Sequence, residues 1–324
     1  MARLKRTSAP DMQPLRPGRP GPESTRGHLA MLAFSALVAG SFSLGSLAAP
    51  LVDPGALTAL RFLLAAVLVG AAAFGRGVIR RVTLRAPWRY AVLGGLLAAY
   101  FVLMFEGLKT APPVSAAAVF TLTPLMAAGF GWYLLRQRLT PRMALALALG
   151  AVGAIWIIFR ADWRAALTLS FGRGEAIYFI GCIAHALYAP LVRKLNRAEP
   201  ALAFTFLTLV AGWLMLSLWS QDALRATDWR SLPGIVWITL LYLAVAASAA
   251  SFVLLQYASL RLPAAKVMAY TYLTPAWVIL WELALGNAPP ALPTLGGFGL
   301  IALALWLLLE ESPESFTNRK PPTR

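Results

Sequence analysis

The chain has 324 residues, of which 59% are hydrophobic and only 13% charged, and a formal net charge of +16. Soluble domains carry about a quarter charged residues, so this composition excludes an ordinary soluble protein. Net charge alone would suit a nucleic-acid binder, but the placement of the basic residues points to a membrane.

Residues 1–27 are rich in Pro, Gly and Arg and have no apolar periodicity, so they are expected to be a disordered basic cytoplasmic tail. Ten apolar runs follow, at about 29–50, 54–74, 88–108, 112–135, 141–159, 174–192, 201–219, 233–255, 262–285 and 291–309. Each approaches the roughly 17–25 residues that cross a hydrocarbon core of about 30 Å. In the first run, "SLAAP" offers small residues where a signal peptide could be cut. The run is too long for that, and removing it would invert the charge bias of every later loop. The connections are short, and residues 310–324 form a second tail. Cys182, the single cysteine, lies in the sixth run, so no intrachain disulfide is possible.

With an internal N-terminus and ten spans, the cytoplasmic segments hold 21 of the 29 Lys and Arg and the outer loops hold six. Arg61 and Lys266 fall inside spans. This positive-inside bias places both termini in the cytoplasm, in a cell membrane such as the bacterial inner membrane. It leaves little support for a nucleic-acid partner. The expected partners are the lipid bilayer and a small-molecule substrate.

The chain also repeats itself. An ungapped shift of 151 positions lays Ala98–Pro124 on Ala249–Pro275 with 10 of 27 residues identical, including Phe101/Phe252, Pro112/Pro263 and a shared Leu-Thr-Pro. Each copy has five spans, an odd number, so the second enters the membrane upside down. The expected fold is all-α and polytopic, with ten transmembrane helices as two inverted five-helix repeats, residues 28–160 and 172–309. Such repeats recur in secondary transporters, where two similar halves permit one state open to each side. Duplication also builds inert scaffolds.

The segment "GLKTAPPVSAAAVFTLTPLMAAGFGWYLLRQRLTPRMALALALGAVGAIWII" resembles the repeat unit of the drug/metabolite transporter superfamily, in its EamA-type ten-helix branch. "LTALRFLLAAVLVG" at 57–70 is similar to that family's second span. The resemblance implies export or exchange of small metabolites by alternating access. The family often carries Gly-Glu after the fourth span, where this chain has Arg136-Gln137 and Asn287-Ala288, so no role of that Glu carries over.

Several residues are candidates for the chemistry. Thr123-Pro124 and Thr274-Pro275 fall near mid-membrane in spans four and nine. Proline there breaks the helix and frees a carbonyl, as a hinge or site lining, or as a static kink. Lys266, Tyr270, Trp277 and Trp281 lie within about 60° of one helical face, with Thr274 slightly aside. That face could be a cavity wall in which Lys266 meets an anion. Equally, Lys266 could snorkel to the headgroups. Arg61, Glu106 and Glu282 could form an outer gate or ion pair, or Arg61 could be a fixed lock between spans. His185 in span six is read as a packing residue or a weak proton relay, Glu175 marks that span's outer start, and His28 marks the membrane entry.

Two histidines far apart, with no carboxylate cluster or Cys-rich spacing, give no sign of a metal, a cofactor or an enzyme's catalytic group. An integral membrane enzyme and a non-transporting scaffold or sensor remain the alternatives to a secondary transporter of an amino-acid-like or anionic, amphipathic metabolite.

Overall fold

The computed structural model describes residues 22–80, 85–136, 140–159, 161, 162, 164, 172–259 and 269–309. The described residues hold no strand. In the first half the helices are α1 (Pro22–Ala48), α2 (Pro54–Gly75), α3 (Trp88–Leu108), α4 (Pro113–Phe120), α5 (Thr123–Leu135) and α6 (Pro141–Ile158). The second half has α7 (Arg173–Leu195), α8 (Ala201–Trp219), a short α9 (Gln221–Ala226), α10 (Gly234–Ala244), α11 (Ser251–Ser259), α12 (Thr274–Ala284) and α13 (Leu295–Leu309). Nine stretches of the described residues are long and apolar enough to span a membrane. The tenth is the run at 262–285, whose earlier part, including Lys266, lies outside the described residues.

Local chemistry sets many boundaries. The Asp53 side chain accepts from the Ala56 N–H at 2.9 Å and Pro54 opens α2, while Thr140 caps α6 through the Met143 N–H at 3.1 Å, again before a proline. Such caps satisfy N–H groups that a helix start leaves unpaired. α1 begins at Pro22, inside the segment expected to be a tail. A proline at the first helical position loses no intrahelical bond, so the helix runs on beyond its apolar stretch.

Spans four and nine are both interrupted at the shared Leu-Thr-Pro. α4 ends at Phe120, a turn occupies Thr121 and Leu122, and α5 restarts at Thr123 with Pro124 in its first turn. In the other half a 3₁₀ turn, Tyr270–Leu273, precedes α12, which restarts at Thr274 with Pro275. Span eight carries an irregularity with no counterpart in the first half, a π-helical turn at Val245–Ala250 between α10 and α11. Nothing in "VAASAA" announces it.

The packing obeys the duplication. α6 packs on α13 and α2 on α8, each pairing equivalent spans of the two halves. The union of α3 with α7 is matched by that of α10, the π-turn and α11 with α1, and α5 on α7 is matched by α12 on α1. Small residues permit the closest crossings. A Cβ on Gly153 of α6 would stand 2.7 Å from the Gly297 carbonyl of α13, and one on Gly94 of α3 would stand 2.5 Å from the Gly212 nitrogen of α8. With lipid no better a solvent for one apolar face than for another, close backbone approach is what drives such helices together.

Candidate functional site

The two halves meet in a buried cluster of aromatic and polar side chains. α7 contributes Tyr178, Cys182, His185 and Tyr188, spaced four, three and three residues apart and so sharing one face. α3 contributes Tyr100 and Phe101, α4 contributes Phe120, and α1 contributes Phe42. The Tyr100 and Tyr178 hydroxyls lie 3.0 Å apart. The His185 ring lies 4.5 Å from that of Tyr100 and 5.5 Å from that of Phe120, and stacks on Tyr188 at 6.4 Å. Its Nδ1 is buried without a partner. The Cys182 thiol sits between the side chains of Tyr178 and Thr123.

Arg61 borders this cluster. Its guanidinium carbon stands 3.7 Å above the centre of the Phe101 ring, and the residue is 1% exposed. Nε donates to Ser248 Oγ at 3.1 Å and one terminal nitrogen to the Ala247 carbonyl at 3.4 Å, both in the π-turn. The other terminal nitrogen is buried and has no partner. Arg61 is seven residues from the start of α2, about 10 Å deep, and Ser248 is fourteen residues from the start of α10, about 20 Å deep at 1.5 Å per residue. The extended side chain therefore delivers its charge near the middle of the membrane. A buried cation with unused hydrogen-bonding capacity is expensive, and at such depth it ordinarily faces an anion or a pathway.

The other candidates are placed as follows. Arg61 does not pair with Glu106 or Glu282. Glu106 accepts from Lys109 at 2.7 Å on the partly exposed end of α3, and Glu282 accepts from the Asn287 side chain at 2.8 Å. The stripe of span nine is turned toward α1. The Tyr270 hydroxyl lies 2.8 Å from His28 Nδ1, and Trp277 Nε1 donates to Ser35 Oγ at 3.0 Å. Trp281 meets Tyr242 edge-on at 5.6 Å. Thr123 and Thr274 are both 1% exposed at the restarts of α5 and α12, next to Pro124 and Pro275. Glu175, also buried, accepts from Ser115 Oγ at 2.8 Å. The described residues hold no group of three His, Cys, Asp or Glu that could bind a metal.

Sequence reasoning found His185 but missed Tyr178, Tyr188 and Tyr100 around it. The polar-aromatic face of α7 was readable from its spacing. That Tyr100 completes it depends on which helix packs there.

A second buried charge ties the helix ends at the opposite side of the membrane from the start of α2. Arg89 donates to the Leu195 carbonyl at 2.6 Å, to the Arg85 carbonyl at 2.9 Å and to Glu199 at 2.7 Å, with side chains 1% and 6% exposed. Burial pushes the Glu199 carboxyl up. The hydrogen bonds from Arg89 and from the backbone N–H groups of Arg197 and Glu199 outweigh it, holding the carboxyl below its ordinary value.

Two duplicated five-helix halves, broken at matching prolines and closed around a buried polar-aromatic centre, have the construction of a secondary membrane transporter. The chain belongs to the EamA-like transporter family, whose model matches residues 25–159 and again 172–310. It is 25% identical over 262 residues to the uncharacterized transporter YyaM of Bacillus subtilis, a match covering 80% of this chain and 86% of that one. It is 35% identical over 133 residues to the aromatic amino acid exporter YddG of Ancylobacter novellus, covering 41% of this chain and 44% of the exporter. In fold it is similar to a crystal structure with a TM-score of 0.63 and 23% identity, covering 88% of this chain and 95% of that one.

Proposed function

We propose that this transporter exports a small metabolite bearing a carboxylate and an aromatic or other apolar body, by alternating access between its two halves. The observation that carries the reading is Arg61, whose unpartnered guanidinium nitrogen is buried at the seam of the halves over Phe101. A carboxylate there would complete the hydrogen bonding of a cation that no described carboxylate neutralises. Tyr100, Phe120, His185 and Tyr188 supply the surface on which an aromatic ring would stack. The partial similarity to an aromatic amino acid exporter supports the same substrate class. Pro124 and Pro275 act in this reading as hinges that let the outer and inner halves of spans four and nine move separately. Thr123 lines the site beside Cys182, whereas Tyr270, Thr274 and Trp277 serve the closed joint with α1.

The test is thermal unfolding of the purified protein with aromatic amino acids, aliphatic organic acids, sugars and cationic drugs, followed by efflux from loaded proteoliposomes. Ligand at about 100 times its Kd adds about 2.7 kcal/mol of stability. An aromatic acid should raise the unfolding temperature and be exported, and Arg61→Gln should abolish both. A response confined to cationic drugs, unchanged in Arg61→Gln, would refute the assignment.

A further inference from the structure

Described residues at the end of α2, at the start of α3 and between α7 and α8 line an open-mouthed cavity of about 450 Å³. Its lining includes Arg76, Arg80, Arg85, Arg89 and Arg197, and one carboxylate, Glu199. Arg89 already engages that carboxylate. The guanidiniums of Arg76, Arg85 and Arg197 donate no hydrogen bond to any described residue. The cavity is therefore a concentration of positive charge, with five arginines against a single carboxylate in its lining. Repulsion among these groups opposes their assembly, yet the Arg89–Glu199 joint and its carbonyl contacts hold the loops together. Below, Tyr90, Leu93 and Phe204 pack into an apolar floor, with Tyr90 and Phe204 edge-on at 5.4 Å. Tyr188 of the polar-aromatic centre packs against that floor.

The surroundings set its depth in the bilayer. Phe74 and Trp88, 64% and 54% exposed, precede Arg76 and Arg89 by two and one residues. Large exposed aromatics beside arginines mark the level of lipid headgroups.

We propose that this cavity is a binding site for a phosphate group, and that its source is the headgroup of an anionic phospholipid. The cavity volume lies within the range of small-molecule sites. Arginine forks fit phosphate oxygens with two parallel hydrogen bonds, and basic pockets at the cytoplasmic membrane face are suited to anionic headgroups. The site is distinct from the transport centre and does not depend on the substrate assigned above.

The experiment titrates the full-length protein in neutral detergent with phosphatidylglycerol, phosphatidylcholine or inorganic phosphate, following unfolding temperature and, by native mass spectrometry, retained lipid. Phosphatidylglycerol should raise the unfolding temperature and be retained, while phosphatidylcholine should not. The double variant Arg76→Gln/Arg197→Gln changes two exposed loop residues and should weaken the effect about tenfold or more. The double variant Arg225→Gln/Arg230→Gln, on the other side of the membrane, should leave it intact. Equal effects of the two lipids would overturn the proposal, as would a phosphatidylglycerol effect that survives Arg76→Gln/Arg197→Gln. A full effect from inorganic phosphate, lost in that variant, would overturn the lipid source and retain a phosphate site. If Arg76→Gln/Arg197→Gln fails to fold, Arg85→Gln alone is titrated, and an unchanged lipid response in it refutes the site.

Discussion

Arg61→Met separates a transport role for this arginine from a structural one. Methionine keeps much of the length and the contact with Phe101 while removing the charge. The losses are one hydrogen bond to Ser248 at 3.1 Å, a long one to Ala247 at 3.4 Å and the cation–π contact at 3.7 Å. By ordinary magnitudes these amount to about 2–4 kcal/mol. Against them stands relief of a buried cation with one terminal nitrogen unsatisfied. Replacing buried charge by a hydrophobe of similar volume is often neutral or stabilising by about 1–4 kcal/mol. The two nearly cancel, so folded stability should change by no more than about 1–2 kcal/mol, while transport of a carboxylate substrate should fall at least about tenfold. Reversible denaturant unfolding in micelles gives the first quantity, and efflux per folded protein in liposomes gives the second. A loss of stability well beyond that range, with normal efflux from the folded fraction, would show that Arg61 only locks α2 to the π-turn.

Three further outcomes follow from packing and charge. Gly153→Ala places a Cβ 2.7 Å from the Gly297 carbonyl and 3.0 Å from Ile301, so it should destabilise by about 1–3 kcal/mol. Gly299→Ala meets nothing within 4 Å and should cost nothing; equal unfolding temperatures for both variants would contradict the close α6–α13 crossing. Glu199→Gln should cost about 2–3 kcal/mol, below the usual figure for an enclosed pair because this one lines a cavity. The folded Glu199 carboxyl titrates below its ordinary 4.5. Its contribution is therefore fully present above that pH and lost as the pH falls through the lower folded value, so the wild-type advantage over Glu199→Gln should vanish in acid unfolding curves. Pro124→Ala and Pro275→Ala should change stability by less than about 1 kcal/mol, since each proline already lies in the first turn of a restarted helix. Each should slow efflux severalfold, and unaltered rates would remove the hinge role.

The fold was largely legible because its signals are long. Apolar runs report spans directly, and the repetition with its odd number of spans implies inversion. The two Leu-Thr-Pro breaks were readable because proline acts locally, whatever packs around it. The π-turn at Val245–Ala250 was not, because Arg61, which donates to Ser248 Oγ and to the Ala247 carbonyl, is 187 and 186 residues away from them in sequence. The site was legible in pieces. Periodicity put Tyr270 and Trp277 on one face of span nine, but periodicity cannot say which helix that face meets, and it meets α1. Arg61 was placed inside a span by its sequence, with a glutamate as partner because buried cations commonly pair with carboxylates; a serine, a carbonyl and an aromatic face take that place.

The clamp between Arg61 and Ser248 has no mirror image. At the repeat spacing of 151 residues, Gly212 stands for Arg61 and Leu97 for Ser248, and neither can form such a bond. For a carrier that alternates between two conformations related by exchanging its halves, perfect duplication would make those conformations equal in energy. A hydrogen bond from a charged donor, about 1.5–3 kcal/mol, joins α2 of the first half to the π-turn of the second, and its symmetry mate is missing. Whichever conformation keeps it is favoured by a factor of about ten to a hundred or more. Under the alternating access proposed above, the empty protein therefore rests facing one side, and a substrate that draws the guanidinium away from Ser248 lowers the barrier to facing the other.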